Sequence, residues 1–117
     1  LVGCARRAVS LERLAARPPA AAREALMSLP GVGVWTAAET AQRALGDADA
    51  LSIGDYHVSK MIGWTLTGRP IDDAAMVELL EPMRPHRYRV VRLLEVSGLA
   101  YEPRRGSRLP VQDISRL

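Results

Sequence analysis

Apolar residues along this chain recur at spacings of three and four, which is the period of an amphipathic α-helix. The pattern predicts two short helices within residues 1–14, separated near Ser10, and a third helix over 21–29. The clearest stripe lies in 34–46 and consists of Val34, Ala37, Ala38, Ala41 and Leu45. The first half of the chain is therefore expected to consist of helices joined by short connections.

Three further helices are predicted in the second half of the chain, over 56–67, 73–82 and 86–97. Asp55 stands where the first of them needs an N-cap, and either Asp72 or Asp73 stands before the second. The residues expected to face the core are Val58, Met61, Ile62, Thr65 and Leu66, then Met76, Leu79, Leu80 and Met83, then Val90, Leu93 and Leu94. Because no stretch alternates convincingly with a period of two, the predicted fold class is an all-α helical bundle.

Length and composition narrow the class of protein. A chain of 117 residues forms one small domain at most. No apolar run approaches the roughly 20 residues of a transmembrane helix, and no secretory signal is present, so we expect a cytoplasmic protein with no membrane partner. The first residue is Leu1, which indicates a fragment or a processed chain. Cys4 is the only cysteine, so no internal disulfide, zinc cluster or four-cysteine iron–sulfur cluster is expected.

The charge balance is weakly basic, with 16 lysines and arginines against 13 acidic residues. This balance is compatible with nucleic-acid binding but does not require it. Aromatic residues make up only 4% of the chain, which argues against an RNA-binding sheet that stacks bases. Residues 101–117 are basic and interrupted by proline and glycine, so the prediction is a domain over 1–100 followed by a flexible tail.

A turn with unusual backbone chemistry, Leu-Pro-Gly-Val-Gly at 29–33, precedes the helix of the clearest stripe. Pro30 fixes its own φ angle, while Gly31 and Gly33 admit angles that are closed to other residues. Amides exposed beside the positive end of a helix dipole bind phosphate without any lysine. A turn of this kind also serves simply to join two helices, and its sequence alone favours neither interpretation.

The segment after the turn favours the phosphate interpretation. The chain continues from LPGVGVWTA to GDADALSIGDYHVSK, and Asp55 lies 22 residues beyond Gly33. Over residues 20–100 this arrangement resembles the helix-hairpin-helix (HhH-GPD) DNA glycosylase superfamily, in which an aspartate follows a Gly/Pro-rich hairpin at about this separation. The resemblance implies that 1–100 is the C-terminal portion of such a domain, with its hairpin at 29–33. A missing N-terminal part of the same protein would complete the base pocket.

One residue position distinguishes bifunctional from monofunctional members of that superfamily. Its bifunctional members carry a catalytic lysine two residues after the second hairpin glycine, where this chain has Trp35. A tryptophan there is similar to the bacterial 3-methyladenine DNA glycosylase II branch, and without an amine no Schiff base forms. The resemblance therefore implies a monofunctional enzyme of base excision repair. Such an enzyme flips an alkylated purine such as 3-methyladenine out of double-stranded DNA and hydrolyses its N-glycosidic bond.

The same resemblance implies roles for individual side chains. Asp55 is the candidate catalytic carboxylate, which would stabilise positive charge on the sugar and orient water. The alternative is that Asp55 only caps the helix that begins at Tyr56; the two roles are compatible, and the spacing from the hairpin favours catalysis. Trp35 and Glu39 are one helical turn apart and are expected to share a face of the base pocket. Trp35 would stack on the flipped base or pack in the core. Glu39 replaces an aromatic residue of that branch, and would bind a base edge, attract a cationic base, or simply be solvated.

Backbone groups of the hairpin complete the implied site. In this superfamily the hairpin binds a monovalent or calcium-type ion through carbonyl oxygens, at positions that match Met27, Leu29 and Val32. One DNA phosphate would then face the amides of Gly31, Gly33 and Thr36. No other cofactor is implied. Two alternatives remain: a non-catalytic hairpin module that binds DNA without sequence preference, which gives no reason for Asp55, and a helical protein-interaction domain, which explains only the bundle.

Overall fold

The structure, a computed structural model, describes residues 1–101 and Pro103. Over that range it contains seven α-helices and no strand, so the predicted all-α class is confirmed. The helices are α1 (Val2–Arg6), α2 (Ala8–Glu12), α3 (Pro19–Met27), α4 (Val34–Ala44), α5 (Val58–Thr67), α6 (Asp73–Leu80) and α7 (Arg87–Ser97), with short 3-10 helices at Arg13–Ala16 and Glu81–Met83. The predicted tail over 101–117 lies almost entirely outside the described residues.

The first two helices differ from the prediction in where they divide and in what they bury. The break falls at Arg7, whose guanidinium donates to the carbonyl of Gly3 at 3.1 Å, and not at Ser10. Neither α1 nor α2 contains a buried residue, and Leu1 and Cys4 are exposed. Helical spacing marks an apolar face but does not determine whether another element covers it.

Helices α3 and α4 pack against each other across the α3–α4 turn, residues 28–33. The small side chains of Ala22 and Ala37 allow the two helices to approach closely, and both are buried with Leu14 and Leu26. Within the turn, the amide of Val32 donates to the carbonyl of Leu29 at 3.1 Å. Gly31 adopts φ +81°, which explains why this position requires glycine.

The second core lies among α5, α6 and α7. Its buried members are Leu51, Ile62, Met76, Leu80 and Val91. Val91 is the buried apolar residue of α7, whereas Leu93, which was expected to be buried, is 61% exposed. Val90 and Leu94 pack against this core as expected, so the helical period of α7 was correct and only the edge of its core face, Val91 instead of Leu93, differs from the prediction. Leu66 and Met83 are likewise exposed.

Gly63 permits a close approach of the chain to α5. A Cβ atom at this position would lie 2.6 Å from the carbonyl oxygen of Arg69 and 2.7 Å from the amide nitrogen of Ile71. The segment between α5 and α6 therefore passes directly over the helix backbone. No helix in the described part of the chain has the length and hydropathy of a membrane span.

Candidate active site

The connector, residues 45–57, leads from α4 to α5 and brings Asp55 back to the beginning of α4. The indole Nε1 of Trp35 donates to Oδ2 of Asp55 at 3.3 Å. Trp35 is the second residue of α4 and stands two positions after Gly33. Asp55 therefore lies beside the α3–α4 turn, as its spacing from that turn predicted.

Asp55 was expected to be the N-cap of a helix that begins at Tyr56, but α5 begins at Val58 and its N-cap position is His57, so that expectation is wrong. Asp55 instead lies two residues before the N-cap and bonds to the beginning of the helix. Its Oδ1 accepts the amide of His57 at 2.9 Å and the amide of Val58 at 3.4 Å. The His57 amide contributes most to lowering the pKa of Asp55 below its ordinary value, and the Trp35 indole adds to this effect, while partial burial opposes it. Asp55 is therefore a carboxylate at neutral pH, with Oδ1 committed to the helix and Oδ2 held by the indole.

The connector is attached to the rest of the fold by side chains that the sequence analysis did not single out. Asp47 is buried and forms an ion pair with Arg23 of α3. Its own amide donates to the carbonyl of Ala41 at 3.0 Å, and its Oδ1 accepts the amide of Asp49 at 2.9 Å. These bonds fix the beginning of the connector against α3 and α4.

Asp49 joins the connector to the first turn of α7. It accepts three hydrogen bonds from Arg87: the backbone amide at 3.1 Å, Nε at 2.8 Å and Nη2 at 2.7 Å. The side-chain bond from Arg87 is the main reason that the pKa of Asp49 is lowered, and the same bond raises the pKa of Arg87. Arg89 adds a backbone bond to the carbonyl of Ala48 at 3.1 Å. The connector and α7 are therefore held in one geometry.

Helix α4 holds the middle of the connector through a polar chain. The side-chain amide of Gln42 donates to the carbonyl of Ala50 at 2.8 Å and to the hydroxyl of Ser52 at 3.0 Å. That hydroxyl donates to Oε1 of Glu39, and Oε2 of Glu39 forms an ion pair with Arg43. Glu39 is therefore not simply solvated, because both of its oxygens are engaged and its orientation is fixed.

Asp55 and Glu39 line the same cavity, which has a volume of about 400 Å³. This volume is typical of small-molecule sites, which measure roughly 300–1,000 Å³. The α4–α7 cavity is formed by Glu39, Gln42 and Arg43 of α4, by Ala50, Leu51, Ser52 and Asp55 of the connector, by Val58 of α5, and by Tyr88, Val91, Arg92 and Glu95 of α7. Of its three carboxylates, Glu39 and Glu95 each contact an arginine, whereas Asp55 is held by an indole and by backbone amides.

Trp35 lies on the outer surface of α4 and not in the core. Its side chain is 45% exposed and borders a shallow surface together with Thr36, Glu39, Thr40 and Arg43. The expectation that Trp35 and Glu39 share a face is therefore correct. Trp35 is therefore not a core residue, because much of its side chain is exposed to solvent, and the stacking role stays a prediction.

The α3–α4 turn presents the backbone groups that the sequence predicted for phosphate and ion binding. Gly31, Gly33 and Thr36 are exposed, and no side chain of the described residues caps the first turn of α4. Of the three predicted carbonyls, the oxygen of Leu29 accepts the amide of Val32 within the turn and retains one lone pair. Carbonyl oxygens are ligands that hard cations prefer, and ion binding by Met27, Leu29 and Val32 stays a prediction.

The basic residues of α7 divide between structure and surface. Arg87 is buried against Asp49, whereas Arg89 and Arg92 are exposed. Arg89 contacts Nδ1 of His86 at 3.1 Å, and Arg92 pairs with Glu95 at 3.2 Å.

The ammonium of Lys60, in α5, lies 3.4 Å from the centre of the Tyr56 ring.

Comparisons of this chain with protein-family models, with curated proteins and with solved structures found no match. What the site does is therefore inferred from its residues and their geometry.

Proposed function

We propose that this chain carries the catalytic aspartate and the DNA-binding hairpin of a monofunctional DNA glycosylase. The substrate class is an alkylated purine, such as 3-methyladenine, that has been flipped out of double-stranded DNA. The observation that supports this most is the contact between Asp55 and Trp35. It brings an ionised carboxylate that forms no ion pair with a lysine or arginine of the described residues to the end of a helical hairpin and to the edge of the α4–α7 cavity.

Asp55 would act on the sugar of the flipped nucleotide. When the N-glycosidic bond breaks, the bonding electron pair leaves with the base and positive charge develops on the sugar. A carboxylate near the anomeric carbon stabilises that charge and orients the water that attacks it. An alkylated purine carries a positive charge before cleavage and leaves as a neutral base. The reaction therefore needs no separate general acid.

The hairpin would hold the DNA backbone while Asp55 acts. Gly31, Gly33 and Thr36 are exposed residues at the positive end of the α4 dipole, where backbone amides favour one phosphate. A cation on the carbonyls of the turn would add positive charge beside that phosphate. Such backbone contacts carry no sequence information, which suits an enzyme that searches all of the DNA for damage.

The absence of a suitable amine supports base removal without strand cleavage. Lys60 is the only lysine of the chain, and its ammonium lies over the ring of Tyr56. The position that carries the lysine in bifunctional relatives is occupied by Trp35, whose indole donates to Asp55. The proposed chemistry is therefore direct attack by water and not formation of a Schiff base.

An excision assay tests this proposal. Because the resemblance implies that a missing N-terminal part completes the base pocket, the full-length protein that contains this chain is incubated with methylated duplex DNA, and released bases are quantified by chromatography. The wild-type protein is expected to release 3-methyladenine, and Asp55→Asn is expected to lower the rate by roughly two to three orders of magnitude, the loss typical of removing one electrostatic stabiliser. Asp72→Asn, a matched change at the cap of α6, is the control and is expected to retain excision.

The other outcomes of the assay contradict the proposal in different ways. Binding of duplex DNA without release of a base would favour a non-catalytic hairpin module. Neither binding nor release would favour a protein-interaction domain. Excision that survives in Asp55→Asn would remove this residue from the mechanism, and a protein–DNA adduct trapped by sodium borohydride would contradict the monofunctional assignment.

A further inference from the structure

Two neighbouring aspartates at the beginning of α6 have different partners. Oδ1 of Asp72 accepts the amide of Ala75 at 2.8 Å, which is the usual N-cap bond. The side chain of Asp73 does not cap the helix. Its Oδ2 instead accepts the amide of Gly54, 19 positions earlier in the chain, at 2.8 Å. From sequence alone, either residue was a candidate for the cap.

Gly54 is the residue immediately before Asp55. It adopts φ +94°, a backbone conformation that glycine reaches easily but can also leave easily. The orientation of Asp55 therefore depends on the bonds that hold Gly54 in place. The upstream bonds of the connector end at Ser52, which is held by Gln42 and Glu39. The bond from Gly54 to Asp73 is thus the last attachment of the connector to another element before Asp55 itself.

The second oxygen of Asp73 is a further indication that this carboxylate serves the connector. Oδ1 of Asp73 is buried and has no hydrogen-bond partner among the described residues. A buried polar atom without a partner costs free energy. Its presence is explained if the benefit lies in the bond that Oδ2 makes and not in the stability of α6, whose cap Asp72 already provides.

From this arrangement we infer that Asp73 is a positioning residue for Asp55. By fixing the peptide unit between Ile53 and Gly54, Asp73 anchors the turn in which the amide of Asp55 donates to the carbonyl of Ser52 at 3.2 Å, and so keeps Oδ2 of Asp55 against the Trp35 indole. The consequence for excision rests on the proposed glycosylase function. The effect on the geometry of Asp55 does not, because the Trp35 indole reports that geometry directly.

The test compares three variants: Asp73→Ala, Asp73→Asn and Asp72→Ala. Asp73→Ala removes the acceptor of the Gly54 amide, whereas Asp73→Asn retains a carbonyl oxygen that accepts it. Asp72→Ala removes a helix cap from the adjacent position and serves as the matched control. Each variant is measured for thermal midpoint, duplex affinity, single-turnover excision rate, and the indole N–H resonances of its two tryptophans, Trp35 and Trp64.

Asp73→Ala is expected to lower the excision rate about ten- to a hundredfold, the loss typical of a small misplacement of a catalytic group, with duplex affinity unchanged. Its Trp35 indole resonance is expected to move, while that of Trp64 stays. Asp73→Asn should restore both the rate and the resonance. Asp72→Ala should lower the thermal midpoint, while its excision rate and its Trp35 resonance should stay at wild-type values.

Either of two results would overturn the inference. One is an unmoved Trp35 resonance in a folded Asp73→Ala chain. The other is a loss of excision that follows the thermal midpoint equally in the Asp72 and Asp73 variants, which would indicate a merely structural role. A wild-type chain that releases no base would count against the proposed function alone, because the resonance measurement would still test the position of Asp55.

Discussion

At the scale of single residues, Asp55 combines two tasks by giving one to each carboxylate oxygen. Oδ1 accepts the amides of His57 and Val58 at the beginning of α5, and Oδ2 accepts the indole N–H of Trp35. The structural role at α5 and the proposed catalytic role, which compete as interpretations of the sequence, therefore use different oxygens. A carboxylate bonded at the end of a helix is held in a fixed orientation, and a fixed orientation is what electrostatic catalysis requires.

The first prediction concerns the indole donor. Trp35→Phe keeps an aromatic face but removes the bond that helps to lower the pKa of Asp55. Because loss of that bond raises the pKa of Asp55, the acid limb of the excision rate is expected to move to higher pH. The His57 amide remains, so the shift in pKa is partial, and the rate at neutral pH should also fall because the indole no longer holds Oδ2 of Asp55.

A pH–rate profile under single-turnover conditions measures this effect. Lys60→Arg, a change on the other side of Asp55 that keeps the positive charge, is a suitable comparison. An acid limb that does not move in Trp35→Phe would show that the indole does not influence the ionisation of Asp55.

At the scale of elements, the periodicity of the sequence predicted where most helices lie, but it did not predict correctly which of their residues are buried. The boundaries of α4 and α7 were predicted to within two residues, because N-terminal and C-terminal signals flank both. The break at Arg7 and the burial of Val91 were missed. Both depend on which elements meet, and that is a property of tertiary packing which no local pattern contains.

The close approach at Gly63 leads to the second prediction. Gly63→Ala is expected to destabilise the fold by roughly 1–3 kcal/mol, the usual cost of overpacking. The atoms that the new methyl group would meet belong to the backbone of Arg69 and Ile71, which cannot turn aside as a side chain would.

Urea unfolding of the two chains measures this cost. Gly33→Ala is the matched control, because a Cβ atom at Gly33 meets nothing within 4 Å and its φ of −97° suits alanine. Equal unfolding midpoints for Gly63→Ala and wild type would contradict the close approach of this segment to α5.

At the scale of the whole molecule, the connector is the part that joins the helices around the candidate site. Asp47 binds α3, Asp49 binds α7, and Gly54 binds the beginning of α6. The sequence predicted that the connector returns Asp55 to the hairpin, because one helix and a short connection double back. It did not predict these attachments, which join residues up to 38 positions apart and leave no periodic signal.

The third prediction concerns acid stability. The fold lowers the pKa of Asp49, so the ionised form stabilises the folded state above the ordinary carboxyl pKa. That contribution is lost as the pH falls through the lowered value. Asp49→Asn is expected to cost roughly 3 kcal/mol at pH 7, because it leaves the buried Arg87 with only the exposed carboxylate of Glu81, 3.9 Å away, as a charge partner.

Chemical denaturation at pH 7 and at pH 3 measures both effects. Asp49→Asn should make the free energy of unfolding less dependent on pH, with a smaller difference from wild type at pH 3. Arg84→Gln is the control: Arg84 lies 3.5 Å from Asp49 but is half exposed, so its loss should cost less than about 1 kcal/mol. A difference from wild type that is the same at both pH values would contradict the assignment to Asp49 ionisation.

The position of Lys60 has a practical consequence. It is the only lysine in the chain, and it borders the same surface as Asp55. Within residues 1–117, an amine-reactive fluorophore therefore has a single lysine to modify, and that lysine lies beside the candidate catalytic carboxylate. A dye placed there would report the arrival of a ligand at this surface by a change in emission, without any need to engineer a labelling site.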